Sequence, residues 1–138
     1  MNKGLSLLWT TILAVTMVSF FFSITPVAQA AGLSVETSAV CEDVVDREPV
    51  DEGTSFSVSV GRLYYFTKIV GAETATEVTH VWWFGSSERA RINLPVGGSY
   101  WRTYSSKVLQ AHEIGTWRVE VIDADGNNLE TVEFTVTN

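Results

Sequence analysis

The sequence has little cysteine, little proline and a shortage of basic residues. It contains one cysteine, so no disulfide can form within the chain, and only three prolines. Nine lysines and arginines stand against sixteen aspartates and glutamates, and the formal net charge is −7. Because binding to phosphate backbones needs a dominant basic field, this balance argues against nucleic acid as a partner. From residue 31 onward there is no convincing helical period, which argues against a helical domain.

The one long apolar run lies near the start of the chain. Lys3 is followed by an apolar stretch over residues 5–22, and an Ala-x-Ala motif stands at residues 28–30. These are the three parts of a secretory signal peptide, which we predict at residues 1–30. The alternative is a retained membrane anchor, because the run is close to the length that spans a bilayer, but Pro26 favours cleavage. We expect an exported protein, periplasmic or extracellular, that contacts a membrane only if this segment is retained.

The remainder is predicted to be one domain, which opens with an N-terminal strand and acidic segment at residues 31–54. This segment contains seven acidic residues and one basic residue, Arg47. The acidic residues are Glu36, Glu42, Asp43, Asp46, Glu48, Asp51 and Glu52. A charge run is usually a solvated face, which is the default interpretation here. A weak Ca²⁺ site is the alternative, although no fixed ligand spacing supports it.

Residues 55–138 are predicted to form the remainder of a single β-sandwich. Short segments with β-strand composition recur at regular spacing, and several alternate between apolar and polar residues. In residues 55–60 this alternation places Phe56, Val58 and Val60 toward the core. Seven or so such strands predict an all-β fold, an antiparallel immunoglobulin-like β-sandwich. The Cys-Trp-Cys pattern of true immunoglobulin domains is missing.

Two segments in the middle of the chain predict a β-hairpin. Residues 79–84 and 88–94 are rich in Val, Trp, Thr and Ile, and Gly85-Ser86-Ser87 between them has turn chemistry. With a three-residue loop, Trp82 faces Ala90, and every second residue joins them on an apolar face for the core. A four-residue loop would shift one arm by one position and mix the two faces. We therefore expect the three-residue loop.

The other face of this hairpin would carry Trp83 beside Arg89, and Val81 beside Arg91. Because Trp, Tyr and Arg anchor many interfaces, we predict binding here and at a second aromatic–arginine group. The predicted binding residues are Trp83, Arg89, Arg91, Tyr100, Trp101 and Arg102. Such arginines could also hold a carboxylate or a phosphate through paired hydrogen bonds. The alternative is a cation–π ladder that only stabilises the sheet.

Residues that often carry chemistry each have a structural explanation. Cys41 is predicted to be a buried free thiol, with pairing between molecules as the alternative. His80 points inward in the preferred register as a hydrogen-bonded core histidine, and with His112 it lacks a third ligand for zinc. Residues 123–128 lack the glycine and glutamate spacing of a calcium loop, so we predict an Asp-Gly hairpin turn. No metal and no cofactor are predicted.

Seven motifs between Val40 and the end of the chain occur in a specific combination. They are Arg47-Glu48-Pro49-Val50, Val60-Gly61-Arg62-Leu63-Tyr64, Phe66-Thr67-Lys68-Ile69, Thr79-His80-Val81-Trp82, Glu88-Arg89-Ala90-Arg91, Trp101-Arg102-Thr103-Tyr104-Ser105-Ser106-Lys107 and Gly115-Thr116-Trp117-Arg118-Val119. With them the chain resembles the bacterial domain-of-unknown-function 2914 family. In that family a cysteine often stands at the position of Tyr65, where it would be a possible partner for Cys41. The resemblance implies a small extracytoplasmic β domain and brings no assigned activity.

The predicted function is a non-catalytic binding or accessory module that contacts an envelope or extracellular protein through the Trp83, Arg89 and Arg91 face. No nucleophile-elbow or zinc-helix motif is present, so no catalytic residues are predicted. Separate Ser, His and Glu residues could still converge as an unrecognised hydrolase site. One alternative is a polysaccharide-binding module in which Trp83, Tyr100 or Trp101 stacks on sugar rings and tolerates salt. A second alternative is a purely structural envelope domain.

Overall fold

The computed structural model describes residues 32–138, which form nine β-strands in two facing sheets. The predicted signal peptide at residues 1–30 lies outside the described residues. The strands are β1 (Ser34–Val45), β2 (Glu48–Glu52), β3 (Ser55–Ser57), β4 (Arg62–Val70), β5 (Thr76–Phe84), β6 (Ser87–Val96), β7 (Tyr100–Val108), β8 (Gly115–Asp123) and β9 (Asn128–Thr137). The predicted all-β sandwich is confirmed. Within residues 32–138, no helix is long and apolar enough to cross a membrane.

The strands divide into a four-stranded sheet A, ordered β2-β1-β4-β7, and a five-stranded sheet B, ordered β3-β9-β8-β5-β6. All neighbouring strands are antiparallel except β3, which pairs in parallel with β9. The prediction of a wholly antiparallel sandwich with about seven strands was therefore wrong in two details. The acidic segment contributes two strands, β1 and β2, where one N-terminal strand was predicted.

The predicted strand at residues 55–60 is a strand only at its beginning. After β3 the chain enters a 3₁₀ turn at Val58–Val60, and the Ser57 hydroxyl accepts a hydrogen bond from the backbone N–H of Ser59. This local hydrogen bond competes with strand pairing, as is common for serine. Phe56 is buried as predicted, whereas Val58 and Val60 are only partly buried against the core.

The core lies between the two sheets and is built around aromatic rings. Trp82 and Trp117 are fully buried, as the period-2 pattern predicted, and Phe134 of β9 packs against both. Tyr65 of β4 closes the group from sheet A, with its ring centroid 6.5 Å from that of Trp82. Because these rings come from four strands in both sheets, they fix the position of β5 inside the sandwich.

The β5–β6 hairpin has the predicted register along most of its length, with Trp82 opposite Ala90. The prediction of a three-residue loop was wrong, because Phe84 pairs with Ser87 and only two residues remain in the turn. The register then shifts between Trp82 and Trp83, which leaves Arg89 as the unpaired residue of a bulge. The bulge adds one residue to β6 and the shorter turn removes one. From the Trp82–Ala90 pair onward the register is therefore the same as with the predicted three-residue loop.

The acidic segment forms a second hairpin from β1 and β2. Its turn residues Asp46 and Arg47 both have positive φ, 51° and 60°, the sign that tight two-residue hairpin turns favour. The pairing of β1 with β4 ends at Cys41, and the hairpin continues beyond it. Glu48 forms an ion pair with Arg102 of β7, although β4 separates β1 from β7. The end of the hairpin therefore crosses the outer face of sheet A, the face turned away from the core.

Candidate functional site

The six predicted binding residues do not form one surface. Trp83 and Arg91 lie on the outer face of sheet B, on the opposite side of their strands from the buried Trp82 and the partly buried Ala90 and Ile92. Tyr100 and Arg102 lie on the outer face of sheet A, whereas Trp101 between them packs against the core. Arg89 turns to the end of the sandwich. The predicted Trp83–Arg89–Arg91 face is therefore incomplete.

Trp83 is covered by Arg118 and not by Arg89. The guanidinium carbon of Arg118 lies 4.5 Å from the centroid of the Trp83 ring. Arg118 Nη1 donates a hydrogen bond of 2.9 Å to the carbonyl of Gly85, and its Nε lies 3.1 Å from Glu120. The prediction that Trp83 lies beside Arg89 was wrong because the bulge places Glu88 there and β8 supplies Arg118 on the other side.

The other cation on this face is also engaged locally. Arg91 is bound to Glu88, three residues earlier in β6, with 2.6 Å between Nη2 and Oε1. The indole Nε1 of Trp83 is buried and makes no hydrogen bond within the described part of the chain, residues 32–138. The outer face of sheet B therefore resembles the cation–π ladder described as the structural alternative, built with a different arginine.

Arg89 contributes to a buried cluster that sequence patterns did not identify. Its Nε lies 3.4 Å from the carboxylate of Glu113, which is only 1% exposed, and Lys107 Nζ approaches the same carboxylate to 3.7 Å. The backbone N–H of Gln110 donates to Glu113 Oε1 at 2.8 Å. A buried carboxylate requires such partners, so this cluster joins β6, β7 and the turn before β8. In the sequence Glu113 stands between turn residues, with no periodic signal of burial.

The outer face of sheet A has two well-exposed aromatic side chains. Tyr100 and Tyr104 of β7 are 53% and 46% exposed, and Arg102 lies between them on the same face. Lys68 of β4 places its ammonium 4.5 Å from the Tyr100 ring centroid, and hydrogen bonds from Lys68 and Arg102 lower the pKa of the Tyr100 phenol. Tyr64 meets Tyr104 edge-on at 6.1 Å. We call these five residues the tyrosine–arginine face.

The cations of the tyrosine–arginine face are balanced by distant parts of the chain. Lys68 lies 2.7 Å from Glu36 of β1, and Arg102 pairs with Glu48 of β2. No pattern in the sequence predicted either pair, because the first depends on the pairing of β1 with β4 and the second on the β1–β2 hairpin crossing sheet A.

Trp101 is positioned by a close contact with a glycine. A Cβ atom at Gly97 would lie 2.7 Å from the Trp101 ring, so the turn between β6 and β7 accepts only glycine at this point. The indole consequently lies against the core and is not offered to solvent as a platform.

Four buried or partly buried side chains form one continuous hydrogen-bond chain between the sheets. Trp82 Nε1 donates to Ser105 Oγ at 3.0 Å, and Thr67 Oγ1 donates to the carbonyl of Thr103. Because the one Thr67 hydroxyl proton goes to the Thr103 carbonyl, Thr67 Oγ1 accepts at its 3.2 Å contact with His80, and His80 Nε2 carries the proton. In the neutral ring Nδ1 is then the acceptor, and Ser105 Oγ donates to it at 2.8 Å. The prediction of a hydrogen-bonded core histidine is confirmed.

Burial controls the chemistry of these four hydrogen-bonded side chains. His80 is fully buried, and desolvation lowers its pKa from 6.5 to about 3, so the ring is neutral at physiological pH. Ser105 and His80 have the residue types of a nucleophile and a base. However, both lie inside the core, where a substrate has no access to them. The arrangement links the two sheets.

Cys41 is a buried free thiol, as predicted. Desolvation raises its pKa to about 11, and the thiol donates to the carbonyl of Tyr64. Cys41 stands opposite Tyr64, on the outer side of sheet A, whereas Tyr65 stands opposite Val40 and points into the core. A cysteine at position 65 would therefore point to the other side of the sheet, and the proposed pairing with Cys41 does not fit this geometry.

Metal ligands do not converge within residues 32–138, where no group of three or more His, Cys, Asp and Glu side chains could hold an ion. The predicted turn between β8 and β9 is confirmed. Asp123 Oδ1 accepts hydrogen bonds from the backbone N–H groups of Asp125 and Asn127, at 3.0 and 2.8 Å. Its carboxylate therefore stabilises the turn.

Comparison with curated proteins found no match for this chain. A family model does match residues 75–136, which contain nearly all of β5 to β9. This segment includes the β5–β6 hairpin, the tyrosines and arginine of β7, and Arg118. Its family is described as a protein of unknown function, DUF2914, and the resemblance predicted from the sequence motifs is thereby confirmed.

Proposed function

We propose that residues 31–138 are an exported, non-catalytic binding or accessory module with immunoglobulin-like topology. The module contacts an envelope or extracellular protein through the tyrosine–arginine face of sheet A. Its immunoglobulin-like character is supported by strand order: β4 lies beside β7, and β5, β8 and β9 are neighbours, as B–E and C–F–G are in that fold. Export is supported by the signal-peptide pattern at residues 1–30.

The observation that carries the proposal is the clustering of exposed apolar side chains. Six large hydrophobic residues in residues 32–138 are well exposed, and five of them belong to β7 or to the hairpin that crosses its sheet. Tyr100, Tyr104 and Val108 follow one another at every fourth position of β7, and Val45 and Val50 lie in the hairpin. Exposed apolar groups gathered beside arginine are typical of protein interfaces.

A protein partner fits this face better than a sugar does. Stacking on a sugar requires an open aromatic face, and the three candidate rings lack one or are turned away. Arg118 lies over Trp83, Lys68 lies over Tyr100, and Trp101 packs against the core. The tyrosines with Arg102 provide the polar and apolar groups that dominate binding energy at protein interfaces.

Two matched arginine variants test the location of the contact. Arg102→Ala and Arg91→Ala each remove an arginine that is at least partly exposed and is paired with one glutamate, on sheet A and sheet B respectively. The purified wild-type protein and both variants are immobilised and exposed to envelope extract and to culture polysaccharide. We expect a protein held by the wild type and by Arg91→Ala, and released from Arg102→Ala.

Each other outcome identifies an alternative. Loss with Arg91→Ala alone would place the contact on the β5–β6 hairpin, as the sequence first predicted. A polysaccharide held equally by all three proteins at high salt would favour the carbohydrate-binding alternative, because salt weakens exposed charge contacts. No ligand for any of them would favour a structural envelope domain.

A further inference from the structure

Three of the four edge strands described in residues 32–138 are short, interrupted or strongly charged. β2 has five residues with Pro49 and three acids, and β3 has only three residues. β6 contains Pro95 and the bulge at Arg89. Proline, bulges, charge and shortness are the devices by which proteins prevent an edge strand from pairing with another chain. These three edges are therefore protected.

The fourth edge, β7, is the least protected. It pairs with β4 residue for residue over its nine residues, with no register shift, and contains no proline, glycine or acid. Its two charges are already engaged inside the molecule, Arg102 by Glu48 and Lys107 by Glu113. Because β7 ends sheet A, alternate backbone N–H and C=O groups along it face away from β4 and have no strand partner among residues 32–138.

We propose that β7 pairs with β7 of a second copy of this chain, antiparallel about a two-fold axis through Tyr104. The dimer would join the two A sheets into one continuous eight-stranded sheet. This inference does not rest on the proposed function, although both draw on the exposed side chains of β7, because strand pairing uses the edge and leaves the outer face of each sheet turned toward solvent. It would place two tyrosine–arginine faces side by side.

The spacing of exposed residues along β7 fits such an axis. Tyr100, Tyr104 and Val108 are placed symmetrically about Tyr104. In the proposed register Tyr104 therefore lies opposite Tyr104 of the second copy, and Tyr100 lies opposite Val108. All three well-exposed apolar side chains of β7 then meet one another across the interface. Directly opposed aromatic and branched side chains stabilise antiparallel pairs.

Charge also favours this register. Arg102 lies opposite Ser106 of the second copy and diagonally beside its Tyr104, where a guanidinium interacts favourably with an aromatic ring. The two copies of Arg102 are four residues apart along the strands, about 13 Å, which exceeds the screening length of about 8 Å at physiological salt. An axis through Arg102 itself would set like charges directly opposite each other, and an axis between two residues would place outer side chains opposite inner ones.

Cysteine cross-linking tests the axis directly. In Tyr104→Cys the two new thiols would be directly opposed, and the Cα separation of such pairs lies within the range of disulfides. In the matched control Tyr100→Cys, the two thiols would be about 27 Å apart. Wild-type protein provides the background, since burial of Cys41 and its raised pKa keep that thiol unreactive. We expect mild oxidation to give covalent dimer at least roughly tenfold faster for Tyr104→Cys than for Tyr100→Cys.

A second variant retains Tyr104. In Tyr100→Cys/Val108→Cys each new thiol faces its counterpart in the second copy, so this protein should also form covalent dimers, while Val108→Cys alone should not. Equal cross-linking by Tyr100→Cys and Tyr104→Cys would overturn the register. Absence of cross-linking in both Tyr104→Cys and the double variant, with wild-type protein that sediments as a monomer at all concentrations, would overturn the dimer.

Discussion

The outer faces of the two sheets use similar residues but differ in how these residues are held. On sheet B, Trp83 is partly buried beneath Arg118. The two arginines of this face pair with acids of their own strands. Arg91 pairs with Glu88 within β6, and Arg118 pairs with Glu120 within β8. Each of these ion pairs joins two residues of a single strand of sheet B.

On sheet A the corresponding cations pair with acids of other strands, and Arg102 depends on the hairpin that crosses the sheet. Arg102 and Lys68 pair with Glu48 and Glu36, which belong to β2 and β1, while Tyr100 beside them remains 53% exposed. Displacing the end of the β1–β2 hairpin would free Arg102 without separating β4 from β7. A face whose cations pair within their own strands has no cation free for a partner. A face whose arginine pairs with a separate hairpin can exchange that hairpin for a partner.

The largest loss of stability is expected in the hydrogen-bond chain that links the two sheets through the core. Ser105→Ala removes the hydroxyl that accepts from Trp82 Nε1 and donates to His80 Nδ1. Two buried polar atoms would then lose their partner, each at a cost of about 1–3 kcal/mol, so we expect the free energy of unfolding to fall by about 2–6 kcal/mol. Urea unfolding followed by tryptophan fluorescence measures this loss.

The neighbouring Ser106→Ala provides the matched control. Ser106 lies on the outer face, and its one side-chain hydrogen bond among residues 32–138 is accepted from the exposed Arg62, so its loss should cost less than about 0.5 kcal/mol. Equal losses of stability for the two variants would show that the buried hydrogen bonds do not link the sheets. The outer faces would then differ for another reason.

The next largest loss of stability is expected on lowering the pH, because the hydrogen-bond chain between the sheets contains a neutral histidine. His80 has a pKa of about 3 in the folded protein and an ordinary value of 6.5 when unfolded, so the unfolded state binds the proton more tightly. This contribution is complete above pH 6.5 and is lost as the pH falls toward 3. At about 1.4 kcal/mol per pH unit, we expect a loss of about 2 kcal/mol between pH 6.5 and pH 5.

Nuclear magnetic resonance of the histidine ring provides the companion measurement to urea unfolding at each pH. The ring signals of His80 should stay those of a neutral imidazole protonated at Nε2 throughout this interval. A ring that protonates near pH 6.5 while the protein remains folded would contradict the assignment.

The sequence could predict the parts of this protein that depend on period and composition. Alternation placed Trp82, Trp117 and Phe134 in the core and gave the pairing of Trp82 with Ala90. These are local properties of a strand, or of two strands joined by a short turn. Even the wrong loop length left that pairing intact, because the bulge at Arg89 compensated for it.

The candidate site was less predictable because it depends on which distant segments meet. Arg118 covers Trp83 only because β8 lies beside β5, and Glu48 reaches Arg102 only because a hairpin crosses sheet A. Glu113 lies in a turn and carries no periodic signal, yet it is buried by two cations from other strands. Such contacts are set by topology, which a single sequence does not specify.

The smallest effect separates the two faces most directly. Arg118 and Arg102 have equally exposed side chains, 33% in each case, and each has one glutamate as ion partner. Arg118→Ala also loses the hydrogen bond to the Gly85 carbonyl and the cover over Trp83, so we expect it to lower the free energy of unfolding by about 1–2 kcal/mol. Arg102→Ala should leave stability nearly unchanged, because an exposed ion pair contributes little to it. Urea unfolding of the two variants side by side measures the difference. If both variants lost the same stability, the arginine of sheet A would be as structural as that of sheet B, and the tyrosine–arginine face would lose its claim to be the binding surface.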